Sequence, residues 1–285
     1  MSRIAYVNGR YLARPNAMVH IEDRGYQFAD GVYEVCEVRG GAIVDERRHM
    51  ARLARSLAEL RIPLPMSLAA LGLVMRETIR RNQVHNGIVY LQITRGVARR
   101  DHAFPPAGTR PSIVVTARNI DTAGNERQAS QGIAVITVPD TRWLRVDIKS
   151  TSLLPNVLAK QEAREHGAKE AWLVDRDGYV TEGSSSNAWI VTVEGRVLTR
   201  PAESGILRGI TRSVLIDAIG VHGLAFEERT FTVAEAYAAR EAFITGASQT
   251  VMPVVRIDAH MIADGKPGPL ATTLRRDFHK FAEVS

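Results

Sequence analysis

The sequence predicts an α+β protein of two domains joined by a polar linker, and three observations carry that reading. Strand-like runs are joined by tight-turn signals such as Asn8-Gly9, Gly40-Gly41 and Asp177-Gly178, so neighbouring strands pair as hairpins. A doubly wound parallel sheet would need regular strand-helix alternation instead. Helical spacing of apolar residues is clear over 46–61, where Met50, Leu53, Leu57 and Leu60 line one face. Residues 119–131 are polar, hold Gly124 and Asn125, and lack any apolar period. This places a small N-terminal domain at 1–118, a linker at 119–131 and a larger C-terminal domain at 132–285.

The elements follow in order. Residues 4–11 form a hairpin about Asn8-Gly9, a pair suited to positive backbone angles. Residues 21–31 mix charges, aromatics and glycines without either period, which suits a functional loop. The strand 32–38 alternates Val32, Glu34, Cys36 and Val38 against Tyr33, Val35 and Glu37. After Gly40-Gly41 and a short strand comes the helix 46–61, ended by Pro63 and Pro65. Arg52 neighbours its apolar stripe, as a stem packed on the stripe with its head in water would. Ser67 caps a second helix to about Asn82, and Asn86-Gly87 turns into a strand at 88–94. A loop with Arg99-Arg100-Asp101-His102 and a strand at 112–117 close the first half.

In the second half a strand at 132–138 leads to the stretch 145–161, whose helix opens on Pro155-Asn156 and stops at Gly167. A hairpin over 171–181 ends on Glu182, followed by Gly183-Ser184-Ser185-Ser186-Asn187 and a strand at 188–193. Strands at 196–199, 226–230, 242–245 and 251–257 alternate with helices beginning near Ile210, Thr232 and Leu270. No internal repeat is present.

Composition excludes several classes. The chain has 285 residues, 45% hydrophobic and 24% charged, an ordinary balance for a soluble protein with a sizeable core. Its start lacks the basic-then-apolar pattern of a secretory signal, and no window approaches the about 18 apolar residues of a membrane helix, so a cytoplasmic location is expected. The single cysteine, Cys36, excludes an intrachain disulfide and a cysteine-cluster metal site. Net charge is +6, yet the arginines are scattered as isolated pairs among acidic residues, which argues against a nucleic-acid surface.

Four features ask for a common explanation. Lysine occurs only at 149, 160, 169, 266 and 280 among 37 basic residues, and Lys149 alone lies among apolar and small neighbours, Ile148 and Ser150-Thr151-Ser152. Desolvation there would favour a neutral amine able to form a Schiff base, although a snorkelling strand lysine fits too. Glu182 precedes Gly183 and three serines, and is otherwise an ordinary hairpin acid. Gly209-Ile210-Thr211 opens a helix, where free N–H groups and a hydroxyl suit a phosphate; a plain helix cap would look the same. The turn Gly246-Ala247-Ser248 after a strand offers a second phosphate-binding loop, or only a connection. Arg100 and His102, two apart in an extended segment, project the same way and converge on one carboxylate, if they are not simply a solvated basic loop. An amine, an anion anchor and an acid for a ring nitrogen together specify pyridoxal phosphate.

These residues carry a resemblance. The runs 22–34, 100–102, 142–150, 181–187 and 207–212 resemble the D-amino acid aminotransferase family, among the fold-type IV pyridoxal-phosphate enzymes. The matches span nearly the whole chain in one order, and the Arg-x-His pair is the part more specific to D-amino acid enzymes. The resemblance implies a small α/β domain, a larger domain with a barrel-like sheet, and a homodimer. It implies a ping-pong transfer of the amino group of D-alanine to 2-oxoglutarate, giving pyruvate and D-glutamate. Lys149 would be the Schiff-base residue and proton shuttle, Glu182 would hold the pyridine nitrogen, and Leu207 would pack under the ring. Arg52, Ile210 and Thr211 would bind the phosphate, and Tyr33, Arg100 and His102 the substrate carboxylate. Where family members have hydroxyl residues in the second phosphate turn, this chain has Gly246-Ala247 before Ser248, which leaves binding there to backbone amides. Branched-chain L-amino acid aminotransferases, (R)-amine transaminases and aminodeoxychorismate lyases share the fold and are the alternatives.

Overall fold

The computed structural model describes residues 3–203 and 205–285 and divides the chain into two compact units. The first holds the residues up to Asp121 together with Ile148–Ser152 and Glu283–Ser285. It opens on the expected hairpin, β1 (Ile4–Val7) and β2 (Arg10–Ala13), turned by Asn8 and Gly9 at φ 46° and 94°. A short helix, α1 (Arg24–Phe28), stands in the stretch that the sequence suggests is a loop; the Asp23 side chain caps it by accepting from the Gly25 N–H. Five residues are too few to display a helical period. Then come β3 (Gly31–Arg39), β4 (Ala42–Ile43), α2 (Glu46–Glu59), α3 (Leu68–Arg81), β5 (Gly87–Thr94) and β6 (Ser112–Asn119).

The six strands form one antiparallel sheet in the order β2-β1-β6-β5-β3-β4. Helices α2 and α3 cover it, with Leu53, Leu57, Leu71 and Met75 packed against Val32, Cys36, Val89 and Leu91. Truncating any of these leucines to alanine should cost about 2–5 kcal/mol. β4 pairs only with Val38 and Arg39, leaving the Gly31–Tyr33 end of β3 an open edge. Residues 149–151 fill it: the Tyr33 N–H donates to the Lys149 carbonyl at 3.0 Å, and the Thr151 N–H to the Gly31 carbonyl at 3.0 Å.

The second unit begins with α4 (Thr122–Gln131), a helix in place of the expected linker. Only Ala129 of α4 is buried, so no apolar period marks it. The helix is held instead by polar contacts: Glu126 pairs with Arg275 at 2.7 Å, and Asn125 Nδ2 donates to the Ser248 carbonyl at 3.0 Å. After it come β7 (Ile133–Pro139), α5 (Leu154–Glu165), β8 (Glu170–Val174), β9 (Val180–Gly183), β10 (Asn187–Val191), β11 (Val197–Thr199) and α6 (Ile210–Val221). The unit ends with β12 (Phe226–Glu228), α7 (Val233–Tyr237), β13 (Glu241–Gly246), β14 (Thr250–Ile257), β15 (His260–Met261) and α8 (Pro269–Asp277).

These nine strands run β12-β11-β10-β13-β14-β7-β8-β9, with β15 on β14. Because β9 turns tightly into β10 at Ser184–Ser186, the run from β10 round to β9 curls back on itself as a half-barrel. Its strands share one core that includes Trp172, Val180, Ile190, Ile244 and Met252, with Phe231 and Ala236 from the α7 region. On the other face α6 and α8 bury Leu215 and Leu274 against Trp189 and Phe243, and α5 covers Val138 and Leu173. The hairpins are joined by three parallel pairs, β14/β7, β7/β8 and β11/β12.

The boundaries differ from expectation at the linker, which is split between the units after Asp121, at Glu283–Ser285, which join the first unit, and at Lys149. The sequence puts Lys149 in the C-terminal domain, but Ile148–Ser152 belongs to the first unit, since its backbone bonds complete the edge of β3.

Candidate active site

In the first unit Lys149 and Tyr33 meet at the open end of β3, and Arg52 reaches Glu34 of the same strand. Lys149 is half-buried, flanked by buried Ile148 and Ser150, and its Nζ lies 4.2 Å from the centroid of the Tyr33 ring. Its backbone is fixed on both sides, by the bond from Tyr33 and by its own N–H donating to Ser56 Oγ at 3.3 Å. Tyr33 in turn stacks on Tyr90 with centroids 5.7 Å apart.

Arg52 is not a stem with its head in water. Its side chain is 10% exposed, and its guanidinium forks onto Glu34, Nε to Oε1 at 2.8 Å and Nη2 to Oε2 at 2.7 Å. His49 Nδ1 lies 2.7 Å from the same Glu34 Oε2, so one carboxylate holds two residues of α2. Burial pushes Glu34 up, but the charge and hydrogen bonds of Arg52, with those of His49, outweigh it and hold the carboxyl at about 2. Burial pushes His49 down, with Arg52 and Lys149 adding to the effect and Glu34 opposing it. The imidazole is therefore neutral near pH 7, and with Glu34 ionised its Nδ1–H is assigned as the donor. Arg100 and His102 meet on another ring, Phe28, at 5.0 and 5.4 Å between group centres. Both are exposed, whereas the ring contacts of Tyr33 are with Tyr90 and Lys149.

In the second unit Glu182, at the end of β9, is 5% exposed and surrounded by donors. Its carboxylate accepts from Arg142 Nη1, from Asn187 Nδ2 at 2.9 Å and from the Leu207 N–H at 3.1 and 3.2 Å. Arg142 also grips Asp140, at 2.9 and 2.7 Å; burial pulls its own pKa down, but the two carboxylates hold it well above the ordinary value. Asn187 closes the ring by donating to the Leu207 carbonyl at 2.9 Å. Such a carboxylate suits the role of acceptor for a protonated ring nitrogen.

Helix α6 starts on Gly209, which has no side chain to cap it. The first-turn N–H groups at Ile210 and Thr211 therefore lack an acceptor from the N-cap, as a phosphate-binding helix start requires. A Cβ at Gly209 would run into Asn187 Oδ1, so the residue is glycine for space. The donor set fits pyridoxal phosphate. Gly246, Ala247 and Ser248 form the turn between β13 and β14, with Gln249 N–H bonded to the Gly246 carbonyl at 3.1 Å. Ser248 is exposed, and its carbonyl accepts from Asn125 Nδ2 at 3.0 Å.

Sequence reasoning passed over several partners. Glu34, in phase with Val32 and Cys36 on the helix-facing side of β3, was the readable signal of a buried acid needing Arg52. Arg142 lies 40 positions before the Glu182 carboxylate it serves, with Asp140 beside it, and Asn187 lies five after it across the β9–β10 turn; no apolar period links the three. Glu170, 1% exposed, accepts from the hydroxyls of Ser184, Ser185 and Ser186, the last two at 2.8 and 3.0 Å; the three serines thus shape the β9–β10 turn. Among the described residues no group of side chains could hold a metal ion.

The family model for amino-transferase class IV matches residues 31–257. The chain is 43% identical over 268 residues to a D-alanine aminotransferase of Bacillus licheniformis, covering 94% of this chain and 93% of that one. It is 39% identical over 278 residues to a D-alanine aminotransferase of Staphylococcus haemolyticus, covering 98% and 97%. Among solved structures, the branched-chain amino acid aminotransferase of Escherichia coli superposes with a TM-score of 0.89 at 25% identity, over 98% of this chain and 94% of that one. The T.th. branched-chain amino acid aminotransferase with pyridoxamine 5'-phosphate gives 0.89 at 26%, with the same coverage. Sequence and fold agree, and the chain belongs to the class IV aminotransferases.

Proposed function

We propose that this enzyme transfers the amino group of D-alanine and similar D-amino acids to 2-oxoglutarate on pyridoxal phosphate, giving pyruvate and D-glutamate by a ping-pong cycle. The observation that carries the reading is the nearly full-length relationship to D-alanine aminotransferases, at 39–43% identity in the two relatives above. The branched-chain enzymes share the fold at 25–26% identity, a likeness of architecture that does not choose a substrate.

When bound, pyridoxal phosphate supplies an electron-accepting ring that makes the substrate α-hydrogen acidic. Lys149 would hold the cofactor at Nζ and, once its amine is released by the incoming substrate, would move the proton of the substrate α-carbon. Glu182 would accept a hydrogen bond from the pyridine nitrogen and favour its protonated form, with Arg142, Asn187 and the Leu207 N–H orienting the carboxylate. Leu207 would pack against the ring. Arg52, the N–H groups at Ile210 and Thr211, the Thr211 hydroxyl and the backbone of Gly246-Ala247-Ser248 hold the phosphate. Tyr33, Arg100 and His102 hold the substrate α-carboxylate and so decide which enantiomer presents its hydrogen to Lys149.

Exposed apolar side chains, Met18, Ile21 and Tyr26 in the first unit and Leu144, Leu154 and Leu158 in the second, support a homodimer. Its substrates are small amino and oxo acids, and we place it in the cytoplasm. A half-reaction tests the proposal. Holoenzyme mixed with D-alanine and no acceptor should lose its visible absorbance and release one pyruvate per site; no change with D-alanine, but a response to L-leucine, would contradict it.

A further inference from the structure

The loop that carries Arg100 and His102 lacks regular secondary structure and is exposed over residues 99–104. A loop of that kind positions its side chains poorly unless its backbone is tied down. Here it is tied by a buried ion network on the first unit. Arg24, the first residue of α1, is 4% exposed. Its Nη1 donates to the Asp101 carbonyl at 2.6 Å and its Nη2 to the His102 carbonyl at 3.5 Å, while its Nε donates to Asp30 Oδ2 at 2.8 Å.

Asp30 is the hub of the network. It also accepts from Arg95, Nε to Oδ2 at 2.7 Å and Nη2 to Oδ1 at 2.9 Å, and Arg95 is anchored to the Leu60 and Arg61 carbonyls at 2.7 and 3.0 Å. The far end of the loop is clasped by Arg95 of this network together with Arg61. The Arg95 guanidinium lies 3.7 Å from the centroid of the Phe104 ring, and that of Arg61 lies 4.7 Å from it. Phe28, the ring on which Arg100 and His102 rest, is itself under Arg24 at 4.8 Å. Arg24 thus touches the backbone of the loop and the platform beneath its two functional side chains. A lysine at 24 could reach Asp30 but could not fork onto two carbonyls as well.

We infer that Arg24 is a positioning residue for substrate recognition: through Asp30 and the Asp101 and His102 carbonyls it presents Arg100 and His102 to the α-carboxylate. It acts through these groups, to which its guanidinium is committed. The inference rests on the assignment of Arg100 and His102 as the carboxylate pair, and it adds a requirement that the assignment alone does not contain. The effect of Arg24 must pass through Arg100.

The test is a double-mutant cycle on holoenzyme with D-alanine and saturating 2-oxoglutarate, reading KM and kcat separately for the parent, Arg24→Lys, Arg100→Ala and the pair. Visible absorbance serves as the check that cofactor is retained. Arg24→Lys should raise KM about tenfold, as loss of orientation at a recognition group does, and change kcat less than about twofold. In the Arg100→Ala background the same change should raise KM by less than about twofold, because the group being positioned is gone. An unchanged KM in Arg24→Lys, or an equal rise in both backgrounds, overturns the inference while leaving the carboxylate pair intact. An unchanged KM in Arg100→Ala removes the carboxylate assignment and the inference with it. If Arg24→Lys does not accumulate as folded, cofactor-bearing protein, Phe104→Ala makes the test from the far end of the loop. Phe104 is half exposed, so its loss leaves the core intact, and the same coupling to Arg100 is required.

Discussion

At the scale of single residues, the sequence singles out Lys149 because lysine is scarce in this chain and because its neighbours are small or apolar. The contact of Lys149 with the Tyr33 ring is not visible in the sequence, since the two are brought together only when 149–151 pairs with the edge of β3. Replacing Lys149 with Ala should abolish both the visible absorbance of the purified protein and its turnover; a variant that keeps both removes the assignment. Arg100→Ala should raise the KM for D-alanine roughly 10- to 100-fold, the equivalent of a lost charged hydrogen bond of about 1.5–3 kcal/mol. Steady-state kinetics with D-alanine checks it, and an unchanged KM contradicts it. Arg52 shows where residue-level reading stopped. Its place beside an apolar stripe is visible in the sequence, but its partner Glu34 lies 18 positions earlier on another element, and only the packing of α2 on β3 makes the fork.

At the scale of elements, most strands and the longer helices were legible because their apolar period or turn residues are local properties. Helix α4 was not, because it turns a single buried residue inward and is held by ion pairing with a helix about 150 positions away. The start of α6 was readable as Gly209-Ile210-Thr211, yet the reason for its glycine was not. The backbone of Gly209, φ −63° and ψ 138°, is one any residue adopts. The constraint is the neighbouring Asn187 Oδ1. Gly209→Ala should therefore leave α6 folded but displace Asn187 from Glu182 and Leu207, and weaken pyridoxal phosphate binding about tenfold, the loss of one hydrogen bond to a charged group. Titration of apo-protein with the cofactor, followed by absorbance, measures this; an unaltered Kd would show that the Asn187 bonds do not matter to the site.

At the scale of the molecule, the two-part organisation was anticipated, but the assignment of 148–152 to the first unit depends on which edge is open, a property of the assembled sheet. The buried Glu34–Arg52–His49 cluster has a consequence for stability as a whole. Glu34 is held at about 2 against an ordinary 4.5, so as pH falls below 4.5 the unfolded chain takes up a proton that the folded one refuses. His49 acts in the same sense from its ordinary 6.5 downward, because the folded protein keeps it neutral. Stability contributed by both is present at pH 7 and is lost on acidification. Glu34→Gln, which leaves Arg52 facing a neutral amide, should destabilise the protein by roughly 3 kcal/mol at pH 7. Denaturant unfolding should show that difference shrinking toward pH 3; a gap independent of pH would mean that the Glu34 charge contributes nothing.

The central claim is that this class IV fold acts on D-amino acids. The most direct measurement is the initial rate with 2-oxoglutarate as acceptor and D-alanine or L-leucine as donor, with the glutamate product resolved by enantiomer. Rapid turnover of D-alanine to pyruvate with D-glutamate as product, and little or none with L-leucine, is the expected result. Preferred turnover of L-leucine with L-glutamate as product would contradict it.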